Sequence, residues 1–350
     1  MARSPRVSLL MAAACAAIAG VAVDSGASAQ NDCDSASSMT RGGAVSLISE
    51  NDLFGGTDRN YTNGLQLSLV SGPCEKLLGT EFLSQHLLPA RFDEGRAWRA
   101  GLAVGQMMFT PADISLVDPD PLDRPYAAWL YGSFSLISHT DGADRRIAAL
   151  DTAKLDVGWV GPGAAGDFVQ RNWHELINGA DPMGWDNQIR DEPGLNVALE
   201  TARRSPVAEW GWLDADAEAR VGGALGHVAT NASAGAAVRL GYNLGNDYGP
   251  PRIRPALGGA TFFDNQGPWS WYLFAGVEGR AVARDIFLDG NTFRSSPSVD
   301  KEPLLFDAQG GAVLRLGNAQ VSFTYVHRSE SFKGQLGPDR FGAITLSVRR

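Results

Sequence analysis

The chain is poor in cysteine, modest in charge and, beyond its first thirty residues, without a long apolar run. Each shortage removes a class of protein. Three cysteines in 350 residues cannot staple a disulfide scaffold. No later stretch offers the ~20 uninterrupted apolar residues of a membrane-crossing helix. Charged residues make up 20%, and a net charge of −9 lacks the basic excess of a nucleic-acid binder. Common catalytic signatures are also missing: Gly-x-Ser-x-Gly, His-Glu-x-x-His, a phosphate-binding glycine loop and Cys-x-x-Cys. What is plentiful is apolar content, at 44%, and glycine, at 41 residues. The apolar content excludes disorder. One membrane class remains compatible, the β-barrel.

Arg3 and Arg6 precede an apolar run from Val7 to Val23, and Ala27-Ser28-Ala29 follows as a small-x-small site. This pattern predicts a signal peptide over 1–29, with Gln30 as the new N-terminus. Residues 30–350 then read as a single domain, without an internal repeat or low-complexity linker. Cys33 and Cys74 remain after cleavage, and an oxidising compartment would allow them to pair.

Period-2 patterns recur along that domain. Ala215, Ala217, Ala219 and Val221 alternate with Asp216, Glu218 and Arg220, while Ile344, Leu346 and Val348 alternate with Thr345, Ser347 and Arg349. Successive strand side chains point to opposite faces, so each segment has one apolar and one polar face. A soluble sandwich shares that alternation. The stretches here are longer than the ~5–6 residues usual in globular proteins. They suit the ~9–11 that a tilted membrane strand needs. Together with export, this predicts an all-β, antiparallel, up-and-down transmembrane barrel whose charged faces line the lumen. Candidate strands lie at 43–50, 61–72, 97–109, 126–139, 144–160, 194–206, 208–223, 231–244, 269–288, 302–315, 318–332 and 339–350. Twelve is even, as bacterial single-chain barrels require. One departure is the terminal Arg349-Arg350, where such chains commonly end on an aromatic residue.

Long connections fall at 73–96, 110–125, 161–193, 245–268 and 289–301, and connections of this length are usually functional or disordered. The 161–193 segment carries an amphipathic helix, with Asp167 as N-cap and Asn178-Gly179 as the stop. Val169, Trp173, Leu176 and Ile177 share one face, and Gln170 and His174 share a neighbouring one. This predicts a short helix in an extracellular loop.

A catalytic base must come from His86, His139, His174, His227 or His327. Only His174 has a distinctive setting, beside Gln170 and near Trp173, Trp185, Asp186 and Gln188. The densest polar cluster is Glu50-Asn51-Asp52 with Thr57 to Gly64. Its plain reading is a hairpin turn; its chemical reading is a hard-cation site, because clustered carboxylate and amide oxygens suit Ca²⁺. A third cluster, Asp118 to Tyr126, reads as a stiff acidic loop.

These residues together carry a resemblance. Glu50-Asn51-Asp52, Tyr61-Thr62-Asn63-Gly64, Phe109-Thr110-Pro111, Asp123 to Trp129, Gly158 to Pro162, and Gln170 to His174 with Gly184-Trp185 form an ordered series. It resembles the outer-membrane lipid A 3′-O-deacylases. The resemblance implies a twelve-stranded barrel in the bacterial outer membrane that removes the 3′-acyloxyacyl chain from the lipid A of lipopolysaccharide, with Ca²⁺ as cofactor. It implies His174 as the essential base and Asn51 and Asp52 as the family's Asn-Asp pair, which would hold the metal. Thr62 would be a further active-site hydroxyl, and Gln170 would orient the water or the imidazole. Ala128 stands where the family more often has glycine, and a lysine of the family site has no counterpart here. The expected partners are lipid A and outer-membrane lipids, not nucleic acid, with a monomer expected although nothing in the sequence fixes the oligomeric state. Alternatives from other classes are an outer-membrane phospholipase with a Ser-His-Asn site, a passive porin, and a barrel whose site is silent.

Overall fold

A computed structural model describes residues 42–56, 59–73, 97–140, 147–245, 247–253, 262–263 and 267–350. The expected leader at 1–29 and the expected Cys33–Cys74 pairing, with His86, Thr57 and Asp58, lie outside the described residues. Twelve strands follow one another: β1 Ala44–Asn51, β2 Asn60–Val70, β3 Ala97–Thr110, β4 Ala127–Thr140, β5 Ala148–Val160 and β6 Glu192–Trp210. The series continues with β7 Leu213–Gly226, β8 Ala229–Tyr242, β9 Trp269–Asp285, β10 Leu304–Leu316, β11 Ala319–Arg328 and β12 Asp339–Arg349. Each pairs antiparallel with its sequence neighbours, and β1 closes on β12 from Ala44↔Arg349 to Asn51↔Gly342. Arg349 thus sits on the closing ladder.

Closure matters because hydrocarbon offers no partner for an open strand edge. The side chains are inside out by the standard of a soluble protein. In β11, Val321, Phe323 and Tyr325 are exposed, whereas Gln320, Ser322, Thr324 and Arg328 are buried in the lumen. An apolar exterior with exposed Trp210, Trp212 and Trp269 at the end that holds Ala44 and Arg349 is the surface of a barrel in lipid, with its interfacial aromatics. The interior charges pair with one another. Arg328 is bidentate to Asp307 at 2.8 and 2.9 Å. Arg239 binds Asp216 (Nε to Oδ1, 2.8 Å) and Asp247.

Asp247 belongs to the β8–β9 connection, which turns into the lumen. Its carboxylate also meets Arg315 and accepts the Tyr272 hydroxyl at 2.7 Å. Further on, the Ile253 N–H donates to Glu50 Oε1 at 3.2 Å. Above this plug, an apolar layer that includes Tyr61, Phe109, Trp129, Phe287 and Phe341 crosses the barrel. Phe109 stacks on Phe287 at 4.3 Å.

Three sequence expectations need correction. The break placed at 206–208 is a β-bulge inside β6. Pairing with β5 ends at Arg204, so the missing N–H of Pro206 costs no ladder bond there. The real turn is Gly211-Trp212. The strand drawn to residue 288 stops at Asp285, whose carboxylate accepts the Phe287 N–H at 3.0 Å and starts a one-turn helix, α2 (Ile286–Asp289). The strand drawn over 318–332 ends at Arg328.

Candidate active site on the outer barrel wall

The site is built on the outer face of β1–β4, at the end away from Ala44 and Arg349. Strand alternation separates two neighbours: Glu50 faces the lumen, and Asn51 faces outward. Asn51 then caps the turn Asp52–Gly55, its Oδ1 accepting the Leu53 N–H at 2.8 Å. In β2 the register shifts between Tyr61 and Asn63. Tyr61 points inward and donates to Glu50 Oε2 at 2.8 Å. The extra residue, Thr62, turns to the outer side, where its hydroxyl and that of Thr110 share a 2.6 Å hydrogen bond. Re-aiming one side chain is a recurrent use of a bulge.

The helix α1 (Gly166–Ile177) covers this patch of wall. Gln106, outward on β3, donates to the Ala164 carbonyl at 2.6 Å and fixes the turn that leads into it. Met108, Ala128 and Leu130 on the wall meet Ala164, Val169 and Trp185 of the loop. The approach is so close that a Cβ on Gly166 would lie 2.5 Å from the Trp185 ring and 2.6 Å from Ala128 Cβ. Asp167 is not the N-cap; Ala165 holds that place at φ 60°. Asp167 lies in the first turn and binds Arg171 at 2.5 Å, with Asp181 on the other side of Arg171 at 2.9 Å. Burial opposes the guanidinium charge, and the hydrogen bond and charge of Asp167 outweigh it, so Arg171 is held above its ordinary pKa. Asn178, left-handed at φ 55°, ends the helix as expected.

The helix presents its polar positions to the wall. Gly166, Gln170 and His174 are buried, Gln170 and His174 at 1% and 5% exposure. Trp173, Leu176 and Ile177 are exposed, Leu176 at 77%. The apolar stripe that would face the core in a soluble protein here faces sideways and outward, where lipid replaces water.

Between helix and wall is a narrow cleft lined by Asn51, Leu53, Thr62, Asn63, Met108, Gln170, Trp173 and His174. It brings together four of the five sequence-predicted site residues across more than 100 positions of chain. The fifth, Asp52, is buried beside it and does not line it; its Oδ2 accepts the Arg59 N–H at 2.5 Å. His174 Nδ1 contacts the Ala180 carbonyl. Only a protonated Nδ1 can donate there, which makes Nε2 the basic nitrogen of the neutral ring. Gln170 Oε1 accepts the Trp185 indole N–H at 2.7 Å. The other described histidines lie elsewhere: His139 packs against Phe262, His227 against Phe293, and His327 is exposed.

Among the described residues no three His, Cys, Asp or Glu side chains form a metal cluster. The donor chemistry beside the cleft is nevertheless of the hard type. A carboxylate and an amide oxygen come from adjacent residues, and Ca²⁺ completes six to eight ligands readily with backbone carbonyls and water. Sequence reasoning missed Met108, Asn63 and Leu53 as walls of the cleft. No periodic signal marks a bulge or the docking side of a loop helix.

The family model for outer membrane protein LpxR matches residues 9–350. Among solved structures, LpxR from Salmonella typhimurium superposes with a TM-score of 0.69 at 18% identity, covering 87% of this chain and 99% of that one. The β domain of the Bordetella autotransporter BrkA follows at 0.44 and 11% identity, over 88% of this chain and 99% of that one. The translocator domain of NalP from Neisseria meningitidis reaches 0.39 and 10% identity, over 98% of each. No curated protein matches the sequence. The Salmonella structure confirms the fold, and the family match extends over nearly the whole chain: this protein belongs to the LpxR family of outer membrane proteins, the lipid A 3′-O-deacylase family whose motif series it carries.

Proposed function

We propose that the chain hydrolyses the 3′-linked acyloxyacyl ester of lipid A within the outer membrane. The observation that carries this reading is the cleft itself. It places His174 and Gln170 against Asn51 and Thr62 on the lipid-facing side of the wall, not in the lumen. A membrane-resident ester reaches such a site by lateral diffusion. Its acyl chain stays beside Trp173, Leu176 and Ile177 while its carbonyl enters among polar groups.

In this mechanism the Ala180 carbonyl holds His174 as the Nδ1–H tautomer. Nε2 takes a proton from water as the oxygen attacks the ester carbonyl carbon. The tetrahedral intermediate then collapses: the C–O bond between the acyl carbon and the sugar 3′-oxygen breaks, and the imidazolium returns the proton to the departing sugar alkoxide, so the acyloxyacyl chain leaves as its acid. Asp52 and Asn51 would hold Ca²⁺, which supplies positive charge for the oxyanion when bound. Thr62 and Asn63 form the polar floor of the cleft.

Two rival readings have less support. A serine triad requires a serine next to His174, and no serine lines the cleft among the described residues. A passive porin requires an open lumen, and here Asp247 and Tyr248 are buried inside it and Ile253 packs into the Phe287 layer. The test is lipid A turnover by the purified, folded barrel with and without EDTA. Release of the acyloxyacyl chain that stops on chelation and returns with excess Ca²⁺ supports the proposal; release unaffected by chelation removes the metal from it.

A further inference from the structure

Gln170 is nearly fully buried, and only one end of its amide is accounted for. Its Oε1 faces the Trp185 indole at 2.7 Å. An indole nitrogen donates and never accepts, so this contact decides which way the amide lies. The oxygen must face Trp185, and Nε2, with two N–H donors, must face the opposite way. Among the described residues Nε2 has no hydrogen-bond partner although it is buried. A buried donor left without an acceptor is unfavourable, because it has given up its hydrogen bonds to water and gained none in return. Gln170 lines the cleft one helical turn from His174, so the donor sits where an acceptor of the substrate would arrive.

Trp185 is itself held firmly. It is 1% exposed, lies 4.9 Å from the Tyr126 ring and packs against Gly166 at the start of α1. Its ring cannot rotate away without lifting the helix.

We infer that Trp185 is a positioning residue that locks the Gln170 amide so that its Nε2–H groups donate to the ester carbonyl oxygen in the cleft. This rests on the ester-hydrolase reading above. Without the indole donor, the amide can flip, and a carbonyl oxygen would then repel the substrate's own. Removing one oxyanion donor costs roughly 100–1,000-fold in kcat, and a lock that only biases the flip costs less, on the order of tenfold.

The test is a double-mutant cycle between Trp185→Phe and Gln170→Glu, followed as kcat and KM for lipid A. Gln170→Glu keeps the shape, has oxygen at both ends and cannot be mis-flipped. Trp185→Phe should lower kcat about tenfold in the wild-type background, leave KM within about twofold, and have almost no effect in the Gln170→Glu background. A purely structural Trp185 would cost the same in both backgrounds, and that result overturns the inference. A second measurement needs no turnover: hydrogen exchange of the indole N–H in ¹⁵N-tryptophan-labelled barrel. Exchange at Trp185 should accelerate in Gln170→Leu and stay slow in Gln170→Glu; unchanged exchange in Gln170→Leu breaks the lock. An inactive wild type with the expected exchange pattern would sink the ester-hydrolase reading and leave the lock standing.

Discussion

Thr62 shows how much one inserted residue can do. In a regular ladder, position 62 would alternate with Tyr61 and Asn63, and one of the three would lose its role. The bulge lets Tyr61 reach Glu50 in the lumen while Thr62 and Asn63 both reach the outer cleft. The Thr62–Thr110 hydroxyl pair is buried, so losing either partner leaves the other unsatisfied. Thr62→Val should destabilise the barrel by about 1–3 kcal/mol, and Thr110→Val by a similar amount. The double variant should cost much less than their sum, because both remove the same bond. Thermal unfolding in detergent measures all three; fully additive costs would contradict the pairing.

At the scale of elements, α1 makes the wall into a site. Its seat depends on Gly166, since a methyl there meets Trp185 and Ala128, both held in packed surroundings. Gly166→Ala should lift the helix and cost about 1–3 kcal/mol of docking. Lipid A turnover should fall while heat-modifiable migration, the mark of the folded barrel, persists. Unaltered turnover would mean that the helix does not form the cleft. This element also marks what the sequence made legible. The 3.6-residue spacing of Gln170 and His174 and the stop at Asn178 could be read directly. Asp167 looked like a cap because Asp favours that place, but the chain enters through Pro162 and a left-handed Ala165. Nor could spacing say that the apolar stripe would face outward, since that depends on the solvent being lipid.

For the whole molecule, twelve strands were legible because lumen and lipid impose opposite polarity on alternate residues for eight or more positions. Their ends were less so at Pro206 and Asp285, where a bulge and a capped turn mimic a break and a continuation. The β8–β9 connection carried no periodic signal at all. Its described residue Asp247 is nevertheless buried in the lumen, where Arg239, Arg315 and Tyr272 share its carboxylate. Breaking a buried ion pair from one side typically costs ~3–5 kcal/mol, so Asp247→Ala should lower the unfolding midpoint markedly. The wild-type barrel should give no steady conductance in a planar bilayer. Stable ohmic steps from the wild type would contradict the plug and revive the porin reading.

The most direct measurement is mass spectrometry of lipid A from cells that express either the wild-type chain or His174→Ala, with both barrels shown to be folded. The account predicts loss of the 3′-acyloxyacyl mass with the wild type and unmodified lipid A with His174→Ala. Unmodified lipid A in both, or the same loss in both, would contradict it.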